Sequence, residues 1–205
     1  MNTILLFPIR SVWLLALVLL FGRPVLLHAE PALQPTASLP SGSFLLVASR
    51  QMADPRFRKS VIVVTRHGNT GPLGVIINRP RDVTLDQVFP DHPLAEKLKL
   101  FYGGPAYPKQ ISYLVRGTGF VEGALKVTDN TILAYDPALL DDLISGKRAH
   151  TGLRVMHGLA TWANGQLESE IKLGDWFVLP FDETVVFDRP PEDLWQELQG
   201  HAAAL

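Results

Sequence analysis

One stretch, from Gly42 to Pro80, gathers most of the side chains able to do chemistry. Asp54, Arg56 and Arg58 occupy alternate positions ahead of Ser60. In an extended segment alternate side chains share a face, so an acid and two guanidiniums would stand together. Arginine forks match carboxylates and phosphates two bonds at a time, which makes that face a candidate anion grip. The same residues also fit a structural arrangement, with Asp54 capping a turn at Pro55 and one arginine paired to an acid of the body. His67 opens a polar turn that ends at Pro72, a place suited to proton transfer or ligand contact and equally to an ordinary turn. Gly103 and Gly104 would let backbone amides approach an anion, or simply form a tight turn. With Asn78 and Arg79, these residues make the candidate ligand- or partner-binding set.

Other chemistries find less support. The chain has no cysteine, which removes thiol catalysis, disulfides and thiolate metal sites. Its six histidines include no pair four residues apart, so neither a metal nor a cofactor is expected. There is no nucleophile elbow, and Gly71 and Gly74 precede a strand, the reverse of a phosphate loop. Glu168 and Glu170 stand at alternate positions of an expected helix and should diverge, which argues against a carboxylate pair. Trp162 and Trp176 are expected in the core or at its edge, with ligand stacking as the functional alternative. No catalytic residue is assigned. An enzyme using His67, Asp54 and Arg58 remains the rival to a binding module.

Charge sharpens the picture. The 205-residue chain has a formal net charge of −1, yet positions 50–81 hold seven basic residues against one acid, a local net of +6. A basic segment on an acidic body can attract anions locally. The bland counterpart is a solvated face paired with the protein's own acids. No helix-turn-helix, basic helix or aromatic RNA-binding strand accompanies it, so direct nucleic-acid binding is not expected.

These residues need a frame. The apolar runs Phe44–Val47, Val61–Val64 and Leu73–Ile77 read as strands covered on both faces, the latter two joined as an antiparallel hairpin. Thr84 to Gln87 has the pattern of a capping box for one helical turn. Further strands are expected at Leu98–Tyr102, Ile111–Val115, Thr131–Tyr135, Leu153–Leu159, Asp175–Leu179 and Thr184–Phe187. Asp136 and Pro137 open a helix whose stripe is Leu139, Leu140, Leu143 and Ile144, ended by Gly146. Leu167 and Ile171 lie one turn apart on a second helix, and a third docks through Leu194, Trp195 and Leu198. The expected class is α/β: one compact domain from 42 to 205, with a mixed β-sheet, antiparallel hairpins and packed helices.

Ahead of it, Ser11–Phe21 is an unbroken apolar run behind a single arginine, Arg10. Eleven helical residues span about 16 Å, short of the roughly 30 Å of a bilayer core, so residues 1–29 read as a signal peptide or, uncleaved, an N-terminal anchor. Residues 30–41, rich in proline and small residues, read as a linker. Export to the periplasm or anchoring follows. The alternative is a cytoplasmic protein with a misplaced start codon, and membrane contact is expected only through this segment.

Several motifs together resemble the YqgE/AlgH family of bacterial proteins. They are Met52, Asp54, Pro55, Phe57, Arg58 and Ser60; Gly71, Gly74, Asn78 and Pro80; Gly103 to Pro105; Asp129 to Thr131; Gly158, Ala160, Trp162 and Gly165 to Glu168; Glu170; and Asp175 with Trp176. The resemblance covers about 42–199 and implies a compact α/β domain, usually cytoplasmic. It carries no agreed activity, and a transcriptional regulator acting through protein contacts is one role it suggests. Relatives carry a cysteine where this chain has Thr65, so a redox role has no support here. The expected function is a non-catalytic binding or regulatory module, its basic face holding an anionic small molecule or an acidic protein surface.

Overall fold

The computed structural model describes residues 39–66, 71–92 and 95–202. The signal or anchor segment 1–29, the linker as far as 38, and His67 with the turn as far as 70 lie outside the described residues.

The strands are β1 (Phe44–Ala48), β2 (Val61–Arg66), β3 (Pro72–Ile76), β4 (Pro80–Thr84), β5 (Lys99–Tyr102), β6 (Ala106–Arg116), β7 (Leu125–Lys126), β8 (Thr131–Ala134), β9 (Gly152–Thr161) and β10 (Trp176–Pro180). The helices are α1 (Pro137–Ile144), α2 (Gln166–Lys172), α3 (Glu183–Phe187) and α4 (Leu194–Ala202). Among the described residues the strands run in the order β10-β1-β2-β3-β9-β6-β8-β7, with β5 on β9 and β4 on β5. All these pairings are antiparallel except β5 with β9, which is parallel. The mixed, sheet-dominated α/β domain expected from the sequence is present, and β2 pairs with β3 as read.

Why β1, β2 and β3 carry unbroken apolar runs is clear from their two faces. Phe44, Leu46, Ala48, Ile62, Val64 and Ile76 pack with Leu167, Trp162 and Trp176 on one side. Leu45, Val47, Val61, Val63 and Val75 pack with Val185, Val186, Leu194 and Leu198 on the other. Burying each such aliphatic side chain contributes about 1.5–3 kcal/mol. A third cluster sets α1 against β6, β8 and β9 through Leu139, Leu140, Leu143 and Ile144. The Asp136 carboxylate caps α1 by accepting from the Ala138 N–H at 2.7 Å.

The chain departs from expectation at several places, among them β7, which was unassigned from sequence. Thr184–Phe187, read as a strand, lies in α3, because the Asp182 carboxylate accepts from the Thr184 N–H at 2.8 Å and caps a helix that buries Val185 and Val186. Beyond Thr84 there is a short 3-10 turn, Leu85–Gln87, with no side-chain cap bond. Residues 80–84, unassigned from sequence, form β4 on β5. The connector before β2 is a series of turns, not an extended segment: the Asp54 carbonyl accepts from the N–H groups of Phe57 (3.0 Å) and Arg58 (3.1 Å). The shared face expected of Asp54, Arg56 and Arg58 from their alternation therefore has no extended backbone beneath it.

No helix among the described residues is long and apolar enough to cross a membrane.

Candidate functional site

The basic stretch is folded around its own backbone. Asp54 accepts from the Arg56 N–H at 2.9 Å and takes its guanidinium in a two-pronged ion pair, 3.0 Å to Nε and 2.6 Å to Nη2. The hydrogen bonds from Arg56 hold the Asp54 carboxyl below the usual carboxylate range. Arg58 donates to the carbonyls of Met52 (3.2 Å) and Ala53 (3.1 Å). Across from them, Asn78 accepts from the Val61 N–H at 2.8 Å and donates to the Lys59 carbonyl at 2.9 Å. Arg79 donates to the carbonyls of Arg56 (2.6 Å) and Arg58 (2.7 Å), with its guanidinium 5.8 Å from the Tyr102 ring centre. Burial lowers the pKa of Arg79. Five candidate residues thus come together, as a clamp on the connector.

Gly103 and Gly104 lie where the chain turns from β5 into β6. Gly103 donates to the His157 carbonyl and accepts from the Ile76 N–H, each at 2.8 Å. A Cβ on Gly104, whose φ is +151°, would collide with the Leu159 carbonyl, and one on Gly103 with the Gly158 carbonyl. Here glycine is what lets the chain pass against β9.

Beside the clamp lies a cavity of about 380 Å³. Its wall comes from four separate stretches: Met52 to Phe57 of the connector, Pro105 and Ala106, Thr161 to Glu170 across the start of α2, and Asp175 with Trp176. Asp54 and Arg56 contribute to this wall, and so does Glu170. The Glu170 Oε2 accepts from the indole N–H of Trp162 at 2.9 Å and that of Trp176 at 2.8 Å, while Oε1 accepts from the Gln166 amide at 2.8 Å. Phe57 stacks on Trp162 at 6.3 Å between ring centres and meets Trp176 edge-on at 5.6 Å. Both tryptophans are nearly fully buried, so their N–H groups need an acceptor inside the protein.

Glu170 is the residue that sequence reasoning passed over. It does diverge from Glu168 as helix geometry requires. What the spacing hides is that both tryptophans turn toward it, from the end of β9 and the start of β10. Its signal was the pair of indoles flanking α2, each needing a partner.

Among the described residues no group of three or more His, Asp or Glu side chains is placed to hold a metal ion. The His150 imidazole has its pKa lowered by burial, and His157 meets Tyr102 edge-on at 5.5 Å.

Comparison with known proteins agrees with this fold. A family model described as AlgH-like matches residues 45–203. A UPF0301 protein of Chromobacterium violaceum is 33% identical over 162 residues, 76% of this chain and 87% of that protein. One from Xanthomonas euvesicatoria is 32% identical over 168 residues, 78% of this chain and 88% of its own length. The solution structure of the AlgH protein from Pseudomonas aeruginosa superposes with a TM-score of 0.65 at 27% identity, over 81% of this chain and 90% of that one. A crystal structure of a Corynebacterium diphtheriae protein gives 0.63 at 27% identity, over 78% and 86%. The chain belongs to the AlgH-like family.

Proposed function

We propose that this AlgH-like protein is a non-catalytic binding module whose ligand site is the cavity between the connector and α2. One observation carries the reading: motif stretches as far apart as Met52 and Trp176 wall a single concavity. Among the described residues, a concavity of about 380 Å³ lined by charged and aromatic side chains is the kind of place where a small molecule binds. The clamp made by Asn78 and Arg79 supports the same reading, because it fixes the wall that presents Asp54, Arg56 and Phe57. Rigid support of that kind is what a binding site requires.

The test is a thermal-stability screen of the full chain against nucleotides, phosphates, carboxylates, amines and amino acids. A ligand of the folded state raises the midpoint, and one seated in the cavity also changes the fluorescence of Trp162 and Trp176. The expected result is a stabilising compound that perturbs that fluorescence. A stabiliser that leaves it untouched, or a screen with no stabiliser, removes the cavity as the site.

A second reading, an acidic partner docked on the basic face, is supported by Arg50 and Arg81. Both are exposed and without an ion-pair partner among the described residues. Doubling the salt concentration would weaken such a complex strongly and a cavity ligand less. Export is a separate proposal, supported by the apolar run Ser11–Phe21. N-terminal sequencing of the mature protein should then begin near Glu30, whereas an intact Met1 overturns cleavage.

A further inference from the structure

The charges on the cavity wall differ in sign from the segment beside it. Four charged side chains line it: Asp54, Arg56, Glu170 and Asp175. Asp54 and Arg56 cancel each other through their two-pronged pair. Glu170 is surrounded by neutral donors, two indoles and an amide, which satisfy its oxygens and leave its charge uncompensated. Asp175 is held by its backbone alone, with its N–H on the Glu170 carbonyl at 3.0 Å and its carbonyl accepting from Ser49 at 2.8 Å. Its carboxylate has no partner among the described residues. Arg58 and Arg79 do not line the cavity, and their guanidiniums are bonded to backbone carbonyls.

The remaining wall is aromatic. Half-buried Phe57 and the nearly buried Trp162 and Trp176 form it, and the face of an aromatic ring attracts a cation. The protein already uses this chemistry once at the same place, where the Arg56 guanidinium lies 5.9 Å from the Phe57 ring centre with the Asp54 carboxylate against it.

We propose that the cavity takes a small organic cation, an ammonium or guanidinium on a short alkyl body, with Asp175 as its direct charge partner. Glu170 adds to the negative field, and the aromatic rings cover the alkyl part. This rests on the reading of the cavity as the ligand site. A volume of about 380 Å³ is within the range of small-molecule sites.

Calorimetric titration of the full chain at low salt decides it, with putrescine as the cation probe and succinate and inorganic phosphate as anion probes, tryptophan emission being recorded in parallel. Putrescine should bind and shift the emission, and Asp175→Asn should weaken it about tenfold or more, the loss of one charge-assisted contact. Asp175→Glu should retain most of the affinity. If succinate or phosphate binds instead and shifts the emission, the cavity remains the ligand site and the cation assignment is overturned. Putrescine binding that ignores Asp175→Asn overturns it too, as does failure of all three probes; the wider screen then judges the cavity itself. Should Asp175→Asn not fold, the contrast between probes on the unmodified chain still decides the sign of the ligand.

Discussion

The connector that carries Arg56 and Arg58, with Arg79 clamped onto it, and the short helix that carries Glu170 treat charge in opposite ways. In the connector, charge is abundant in sequence and committed in structure. Arg58 and Arg79 give their N–H groups to four backbone carbonyls, and Arg56 is held by its neighbour Asp54. Around α2 a single acid gathers two buried indoles and faces a cavity. The difference teaches that a run of like charges in a sequence counts cations without showing how many are free to meet a ligand. Guanidinium has five donors, and a loop of turns has many carbonyls that β-pairing does not satisfy. The two suit each other so well that an arginine-rich loop can become its own ligand.

The sharpest way to break this comparison is to remove Glu170. Glu170→Ala leaves two indole N–H groups buried with no acceptor, and should cost about 3 kcal/mol or more by urea unfolding, with Glu170→Gln costing clearly less. If Glu170→Ala is nearly neutral, Glu170 is not the hub of this wall. Arg79→Met comes next. It keeps the apolar stem and loses two charge-assisted bonds to carbonyls, so about 2 kcal/mol is expected. Proteolysis should then cut the connector between Gln51 and Lys59 faster, and an unchanged cutting rate would mean that the clamp does not hold it.

The smallest effect belongs to Asp54→Asn, since its partner Arg56 is largely exposed and such pairs are weak. The sign is still fixed. Arg56 depresses the Asp54 pKa in the folded state, so its contribution is present above the unfolded value of roughly 3.9 and is lost as pH falls through the lower folded value. Acid titration of the parent should show that loss and Asp54→Asn should not. Identical acid profiles would mean the pair contributes nothing.

Much of the frame was readable from residue types. The runs in β1, β2 and β3 have no polar face because both faces are covered, and α1 announces itself by Asp136, Pro137 and the stripe that follows. Two of the elements that were not readable show local reasons. Thr184 to Phe187 is rich in β-branched residues, and only the capping bond from Asp182 and the burial of Val185 and Val186 make it helical. Residues 80–84 start at a proline and are half polar, and they become a strand through the pairing with β5 at the margin of the sheet. The candidate site divides in the same manner. Asp54, Arg56, Arg58, Asn78 and Arg79 were read as a ligand-binding set, and their hydrogen bonds go to one another and to backbone. Glu170 was hidden because its partners lie just past β9 and on β10, and only the fold turns both indoles toward α2.

The last helix reaches back to the first strand. The Trp195 indole and the Gln199 amide both donate to the carbonyl of Ala48, and β1 takes β10 as a sheet neighbour. A nascent chain emerging from the ribosome therefore cannot add the edge strand β10 beside β1 until some 130 residues after β1 have followed it out. Until then Phe44 to Ala48 lacks one of its two flanking strands.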